Sequence, residues 1–198
     1  KVEILYESYS FQLDEIGSQV YQHLLQAANR GVYVVLVYDV FGSSGLDIQQ
    51  LDSLIQAGGR VVQFNPVLKP WRWQRSPFFR NHRKSAVIDG IVGFTGGMNT
   101  TDEYVSGNDH HGKSFKDFHA RIIGPSVLSM RDVFKDTLAE SGSSFPLHEL
   151  PSNIQLIDMV THYSLYQPYL ERSSQVRQIT SSDWREEGWW SEFFKIGW

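Results

Sequence analysis

An α/β fold, with a mixed, largely parallel β-sheet flanked by helices, follows from three features of the sequence. Apolar runs rich in β-branched residues alternate with stretches of helical period, the order expected of strand–helix–strand crossovers. The run Val32-Tyr33-Val34-Val35-Leu36-Val37-Tyr38 is apolar on both faces, as a strand covered by helices on both sides must be. Glycines stand where the helical stretches stop, at Gly31 and at Gly58-Gly59.

Residues 2–9 read as the first strand, ending in a polar mouth, Glu7-Ser8-Tyr9-Ser10. The next stretch places Leu13, Ile16, Val20, Leu24 and Ala27 at helical spacing, with Asp14 and Glu15 in the first turn, where the helix dipole favours acids. Residues 32–38 then form a buried strand that ends at Asp39, and Leu46, Ile48, Leu51, Leu54 and Ile55 predict a second helix. Val61-Val62-Gln63-Phe64 is a third strand, ending at Asn65-Pro66. Right-handed crossovers would make these strands parallel and place a ligand site beyond their carboxyl ends. Asp39 and Asn65 lie at those ends, although turn chemistry alone accounts for both. Residues 66–80 form a loop with Pro66, Pro70, Pro77 and the cluster Trp71-Arg72-Trp73, which suits a lipid headgroup interface or packing onto its own domain.

The chemistry concentrates in Arg80-Asn81-His82-Arg83-Lys84-Ser85-Ala86-Val87-Ile88-Asp89, closed by Gly96-Gly97-Met98-Asn99. The pattern is His-x-Lys-x4-Asp-x6-Gly-Gly-x-Asn. On an extended segment His82 and Lys84 point to the same side, so one can attack while the other holds an anion. Val87-Ile88, the turn Asp89-Gly90 and residues 91–95 predict a hairpin. Its return would bring the backbone N–H groups of Gly96 and Gly97 toward the histidine, a fit for phosphate. A basic hairpin end explains a lone His-x-Lys; it does not explain four spaced elements.

A polar loop over 100–113 carries Asp109-His110-His111, whose adjacent histidines point apart and lack a third ligand at sensible spacing. Residues 115–123 return to strand. Gly124-Pro125 opens a helix with Val127, Met130, Phe134 and Leu138 on one face, ended by Ser141-Gly142. One domain is expected over 1–145, with 146–198 an extension of unknown role. The aromatic end of that extension (Trp184, Trp189, Trp190, Phe193, Phe194, Trp198) suits packing better than anionic lipid, given Glu186, Glu187 and Glu192.

The 198 residues, 41% hydrophobic and 20% charged, suffice for one sizeable core. A net charge of -4 argues against a dedicated nucleic-acid binder. It leaves room for a local basic site, since Lys69, Arg72, Arg75, Arg80, Arg83 and Lys84 have no acid among them. The absence of cysteine removes thiolate nucleophiles and thiolate metal sites. No run reaches the ~18 apolar residues of a membrane span. Residue 1 is not Met and residues 1–6 already read as strand, so the chain is expected to begin inside a longer protein.

The motif resembles the HKD motif of the phospholipase D superfamily. Asn81-His82-Arg83-Lys84, Gly96-Gly97-Met98-Asn99, Asp102-Glu103-Tyr104 and Asp117-x-His119-x-Arg121-Ile122-x-Gly124-Pro125 are most similar to bacterial cardiolipin synthases, over one of their two repeats. The resemblance implies a phosphatidyltransferase in which His82 forms a phosphohistidine and Lys84, Asn99, Gly96 and Gly97 hold the phosphate. It implies Asp117 as the acid on the histidine, with Asp89 more architectural. The donor would be a phosphatidylglycerol-like phospholipid at a membrane surface, and no metal or other cofactor is required, because side-chain cations take the metal's place. Superfamily relatives include hydrolases and nucleases, which differ in the acceptor. A second motif histidine is needed to protonate the leaving group. His111-Gly112-Lys113 lacks the right spacing to Asp117, so that histidine must come from a homodimer partner or a missing half. A half-domain that only pairs with a complete enzyme is the non-enzymatic alternative.

Overall fold

The computed structural model describes residues 2–66, 79–105, 115–124, 126–143 and 146–147, together with the backbone of 176–180. The elements are β1 (Glu3–Ser8), α1 (Glu15–Asn29), β2 (Tyr33–Asp39), a 3-10 turn (Ile48–Leu51) running into α2 (Asp52–Gln56), and β3 (Arg60–Phe64). Then come β4 (Ser85–Ile88), β5 (Val92–Gly96), β6 (Phe118–Ile123), α3 (Ser126–Ser141) and β7 (Val176–Thr180). Among the described residues they build one seven-stranded sheet in the order β3-β2-β1-β4-β5-β6-β7.

The sequence signals act locally as their chemistry requires. Asp14 caps α1, its carboxylate accepting from the Gly17 N–H, and Gly31 ends the helix at φ 85. Ile16, Val20, Leu24 and Ala27 form the buried stripe of α1. They pack with Leu51 and Leu54 on one face of the sheet, against Val34, Leu36 and Ile88. The other face, with Leu5, Val35, Val37 and Val87, is covered by Val127, Phe134 and Leu138 of α3. Fully burying a side chain such as Phe134 stabilises the fold by ~1.5–3 kcal/mol. Arg131 of α3 also grips the buried Glu3 carboxylate with two hydrogen bonds, of 2.7 and 2.9 Å.

The α/β class holds, but the balance inside the sheet differs from the expectation of largely parallel pairing. β1, β2 and β3 pair in parallel. From β4 onward every pairing is antiparallel. Parallel neighbours need a crossover, which α1 and α2 provide; the motif hairpin has only a tight turn and must run back on itself. In that turn Asp89 and Gly90 both have positive φ, 53° and 69°, as a type I′ turn requires. β7 lies within 146–198, the stretch expected to be an extension, yet it hydrogen-bonds along β6. The Trp71-Arg72-Trp73 cluster, Asp109-His110-His111 and the C-terminal tryptophans fall outside the described residues.

These pairings put the carboxyl ends of β1, β2, β3 and β5 and the amino ends of β4 and β6 on one edge of the sheet. The candidate site lies along that edge.

Candidate active site

Residues 79–84 approach β4 without regular secondary structure, so side chains fix their path. Asp39, fully buried at the end of β2, accepts from the backbone N–H groups of Phe41, Gly42 and Asn81 and from Arg80. Asn81 is buried as well and accepts from the Arg83 N–H. His82 is thereby carried on a braced segment, its imidazole exposed at the sheet edge. Asp39 is more than a turn former, since it anchors the chain one residue before the histidine. Asn65, at φ 42, holds the Phe79 carbonyl through its amide.

Lys84 is buried, and its Nζ lies 3.3 Å from His82 Nδ1 and donates to the His82 carbonyl at 2.9 Å. The Tyr9 ring, from the polar mouth after β1, lies 4.4 Å from the imidazole and 5.0 Å from the Lys84 ammonium. Burial lowers the Lys84 pKa to about 8, against the fields of Asp117, Asp39 and Glu7, which favour the proton. Partial burial and then the Lys84 charge push the His82 pKa below its usual value. The pair therefore favours a neutral imidazole beside an ammonium, the states a nucleophile and an anion holder need.

The other predicted residues divide. Asn99 is buried near Lys84 and lines the same small polar cavity. Its Oδ1 accepts from Ser10 N–H and its Nδ2 donates to the Tyr104 hydroxyl, which leaves one amide hydrogen uncommitted by these bonds. Asp117 reaches the cluster, but toward Lys84, and its Oδ1 accepts from the Phe118 N–H; no hydrogen bond joins it to His82.

At Gly96 and Gly97 the structure shows close approach of the neighbouring strand, and one of the two amides expected to face the phosphate, that of Gly97, is engaged within the sheet. The Gly97 N–H donates to the Phe118 carbonyl at 3.0 Å, because β6 enters beside β5 at this point. A Cβ on Gly97 would lie 2.2 Å from the Asp117 carboxylate, and one on Gly96 would lie 2.1 Å from the Phe118 carbonyl oxygen. The glycines permit close approach.

Asp89 is not part of the cluster. At about 3.3 Å per residue, β4 carries it about 16 Å from Lys84. There its carboxylate accepts from the N–H groups of Val2 and Glu3, both at 2.8 Å. It ties the hairpin turn to the start of β1.

The model of the phospholipase D-like domain of cardiolipin synthases matches residues 1–117. The chain belongs to this family. Cardiolipin synthase 1 of Bacillus cereus is 36% identical over 134 residues, covering 68% of this chain and 26% of the relative. The cardiolipin synthase of Geobacillus kaustophilus is 40% identical over 128 residues, or 65% of this chain and 25% of that protein. The chain thus spans about a quarter of the length of these cardiolipin synthases. Among solved structures, Nuc from Salmonella typhimurium, a phospholipase D family member, aligns with a TM-score of 0.52 at 21% identity. That match covers 71% of this chain and 80% of Nuc, and it shows the shared fold.

Beside the family motif stand residues that the sequence reading did not single out for a role. Tyr9 contacts both His82 and Lys84; Glu7 and Asn81 lie under them. His119 is buried beside Lys84, with its pKa lowered to about 4 by burial, so it is neutral at physiological pH. Glu7 could have been suspected as an acid inside an otherwise apolar strand, and Asn81 as the immediate neighbour of the histidine. Among the described residues, no group of three or more His, Asp or Glu side chains is placed to hold a metal ion. No helix among them is long and apolar enough to cross a membrane.

Proposed function

We propose that this chain supplies half of a phosphodiester-exchange site of the cardiolipin synthase type, with His82 as nucleophile. The observation that carries the reading is an exposed imidazole 3.3 Å from a buried ammonium at the carboxyl edge of the sheet. The imidazole attacks phosphorus, and the bond to the headgroup alcohol breaks as the phosphohistidine forms. Attack by the hydroxyl of a second lipid then regenerates His82. With Lys84 donating to Nδ1, the imidazole proton rests on Nε2. An arriving phosphate gives the ammonium an anionic partner and frees Nδ1 for Asp117, which turns the lone pair of Nε2 outward. Lys84 and the remaining Asn99 hydrogen then neutralise charge on the phosphoryl oxygens, and each such donor is worth roughly 3 kcal/mol in the transition state.

The leaving alkoxide needs a proton. His23 lies on α1, away from this edge, and His119 is buried and neutral. Among the described residues no other histidine is placed for that role, and the reading takes the acid to be a second motif histidine, from a dimer partner or another part of a longer protein. The relatives are named cardiolipin synthases; on this reading the donor is a phosphatidylglycerol-like lipid and the reaction runs at the surface of a bacterial cytoplasmic membrane.

The test is His82→Asn in the full-length protein, assayed on phosphatidylglycerol vesicles. Turnover is expected to fall on the order of 10⁴-fold or more with far-UV circular dichroism unchanged. Wild-type turnover in that variant refutes the nucleophile. Glycerol release with a dimeric lipid product supports transfer; phosphatidic acid alone makes the enzyme a hydrolase.

A further inference from the structure

We infer that Glu7 is a positioning residue for the nucleophile: a buried carboxylate that aims the His82 segment through Asn81 and Ser85 and supplies fixed negative charge beneath Lys84. The inference rests on the phosphohistidine reading above. It adds a residue outside the His-x-Lys motif.

Glu7 is 2% exposed, on the penultimate residue of β1. A carboxylate so deep is costly to keep unless donors surround it. The donors here all belong to the site's supports. Ser85 Oγ donates to Oε1 at 2.7 Å, while Asn81 Nδ2 and Thr137 Oγ1 lie 3.1 and 3.2 Å from Oε2. Ser85 also pairs with Glu7 across the β1–β4 ladder, so the side-chain bond reinforces a fixed register.

His82 is held almost wholly by its neighbours. On one side of Asn81 the backbone N–H goes to Asp39; on the other its side chain goes to Glu7 and to the Arg83 N–H. Arg83 in turn donates to Thr137 at 2.9 Å, which closes a loop of contacts back to Glu7. With Asn81 clamped between two buried carboxylates and Ser85 clamped by one of them, the three residues between have little freedom. The exposed imidazole inherits its direction from that clamp, as a preorganised site requires.

The same carboxylate bears on the ammonium. The groups whose fields reach Lys84 are Glu7 from β1, Asp39 from β2 and Asp117 ahead of β6; His82 and His119 stand beside them. Of the three acids, Glu7 is the one locked by Asn81, Ser85 and Thr137 together. Burial, the largest effect, raises the pKa of Glu7, and the hydrogen bonds from Ser85, Asn81 and Thr137 together with the charge of Arg83 oppose that rise.

The experiment uses Glu7→Gln and Asn81→Ser in the full-length protein, with two readouts. The first needs no substrate: Lys84 is titrated by NMR of ¹³C-labelled lysine, assigned with Lys84→Arg. Glu7→Gln removes a negative charge, so the Lys84 midpoint should move below its wild-type value. The second is steady-state kinetics with bis(p-nitrophenyl) phosphate. Both variants should lose about 10-fold or more in kcat with KM changed less than about 2-fold, as expected when aim rather than binding is lost. An unchanged Lys84 midpoint in Glu7→Gln overturns the inference, as does wild-type kcat in a folded Glu7→Gln or in Asn81→Ser. Asn81→Ser keeps the carboxylate, so it decides the kinetic arm if Glu7→Gln fails to fold. Activity surviving in His82→Asn would instead strike the phosphohistidine reading, and the lysine titration would still judge Glu7.

Discussion

Replacing each glycine of the motif's Gly-Gly pair by alanine separates a backbone constraint from a functional one. In Gly96→Ala the new methyl lies 2.1 Å from the Phe118 carbonyl oxygen and 2.7 Å from the His119 Cα. Both are backbone atoms of the neighbouring strand, so β6 must retreat before the contact reaches an ordinary 3.4 Å. Overpacking of this kind costs ~1–3 kcal/mol. The retreat also stretches the bond from Gly97 N–H to that same carbonyl, adding ~0.5–1.5 kcal/mol. The expected loss is ~2–4 kcal/mol, a large part of the ~5–15 kcal/mol that holds a domain together.

Gly97→Ala instead meets the Asp117 carboxylate, 2.2 Å away at the end of a rotatable side chain. The carboxylate can swing aside, so stability should change by less than ~1 kcal/mol, within the range of ordinary surface changes. Activity should suffer, because the acid displaced is the largest electrostatic support of the Lys84 proton. Urea unfolding of both variants, with the slope unchanged, reads the first effect; kcat reads the second. A Gly96→Ala protein as stable as wild type would refute the close approach of β6. Equal destabilisation by the two variants would refute the assignment of Gly97 to Asp117.

Two further outcomes follow from the site. The pH–rate profile should be bell-shaped: the acid limb, set by His82 losing its proton, falls below the usual histidine range, and the basic limb falls no higher than about pH 8, where Lys84 loses its proton. A basic limb beyond pH 10 would show that Lys84 is not the cation required. Asp89→Ala removes the acceptor for two backbone donors, so it should lower stability by about 2–3 kcal/mol while turnover per folded molecule stays at the wild-type level. A selective loss of kcat at unchanged stability would return Asp89 to the chemistry.

The sequence by itself determined the class of fold and the centre of the site. The stripes of α1 and α3, the β-branched run of β2 and the glycine stops are local signals that acted where they were written. The second helical stripe did so only in part, since its helical turns begin at Ile48 and Ile55 is exposed. His82 and Lys84 were legible for the same reason: two residues apart on an extended segment is a geometry that covalent structure alone nearly guarantees. What lay beyond reach depended on contacts between residues distant in the chain. The pairing of β4 with β1 in reverse, the seventh strand at Val176–Thr180, and the consumption of the Gly97 amide by Phe118 are choices of the sheet. Asp89 illustrates the difference. Its place in the motif suggested chemistry, while the strand between places it at the opposite end of the hairpin, bonded to Val2 and Glu3. Glu7 is the converse, 75 residues before His82 in sequence and directly under its segment in the fold, because the β1–β4 ladder sets Glu7 opposite Ser85. Local periodicity fixes which residues form each element; only burial and long-range pairing decide which of them meet.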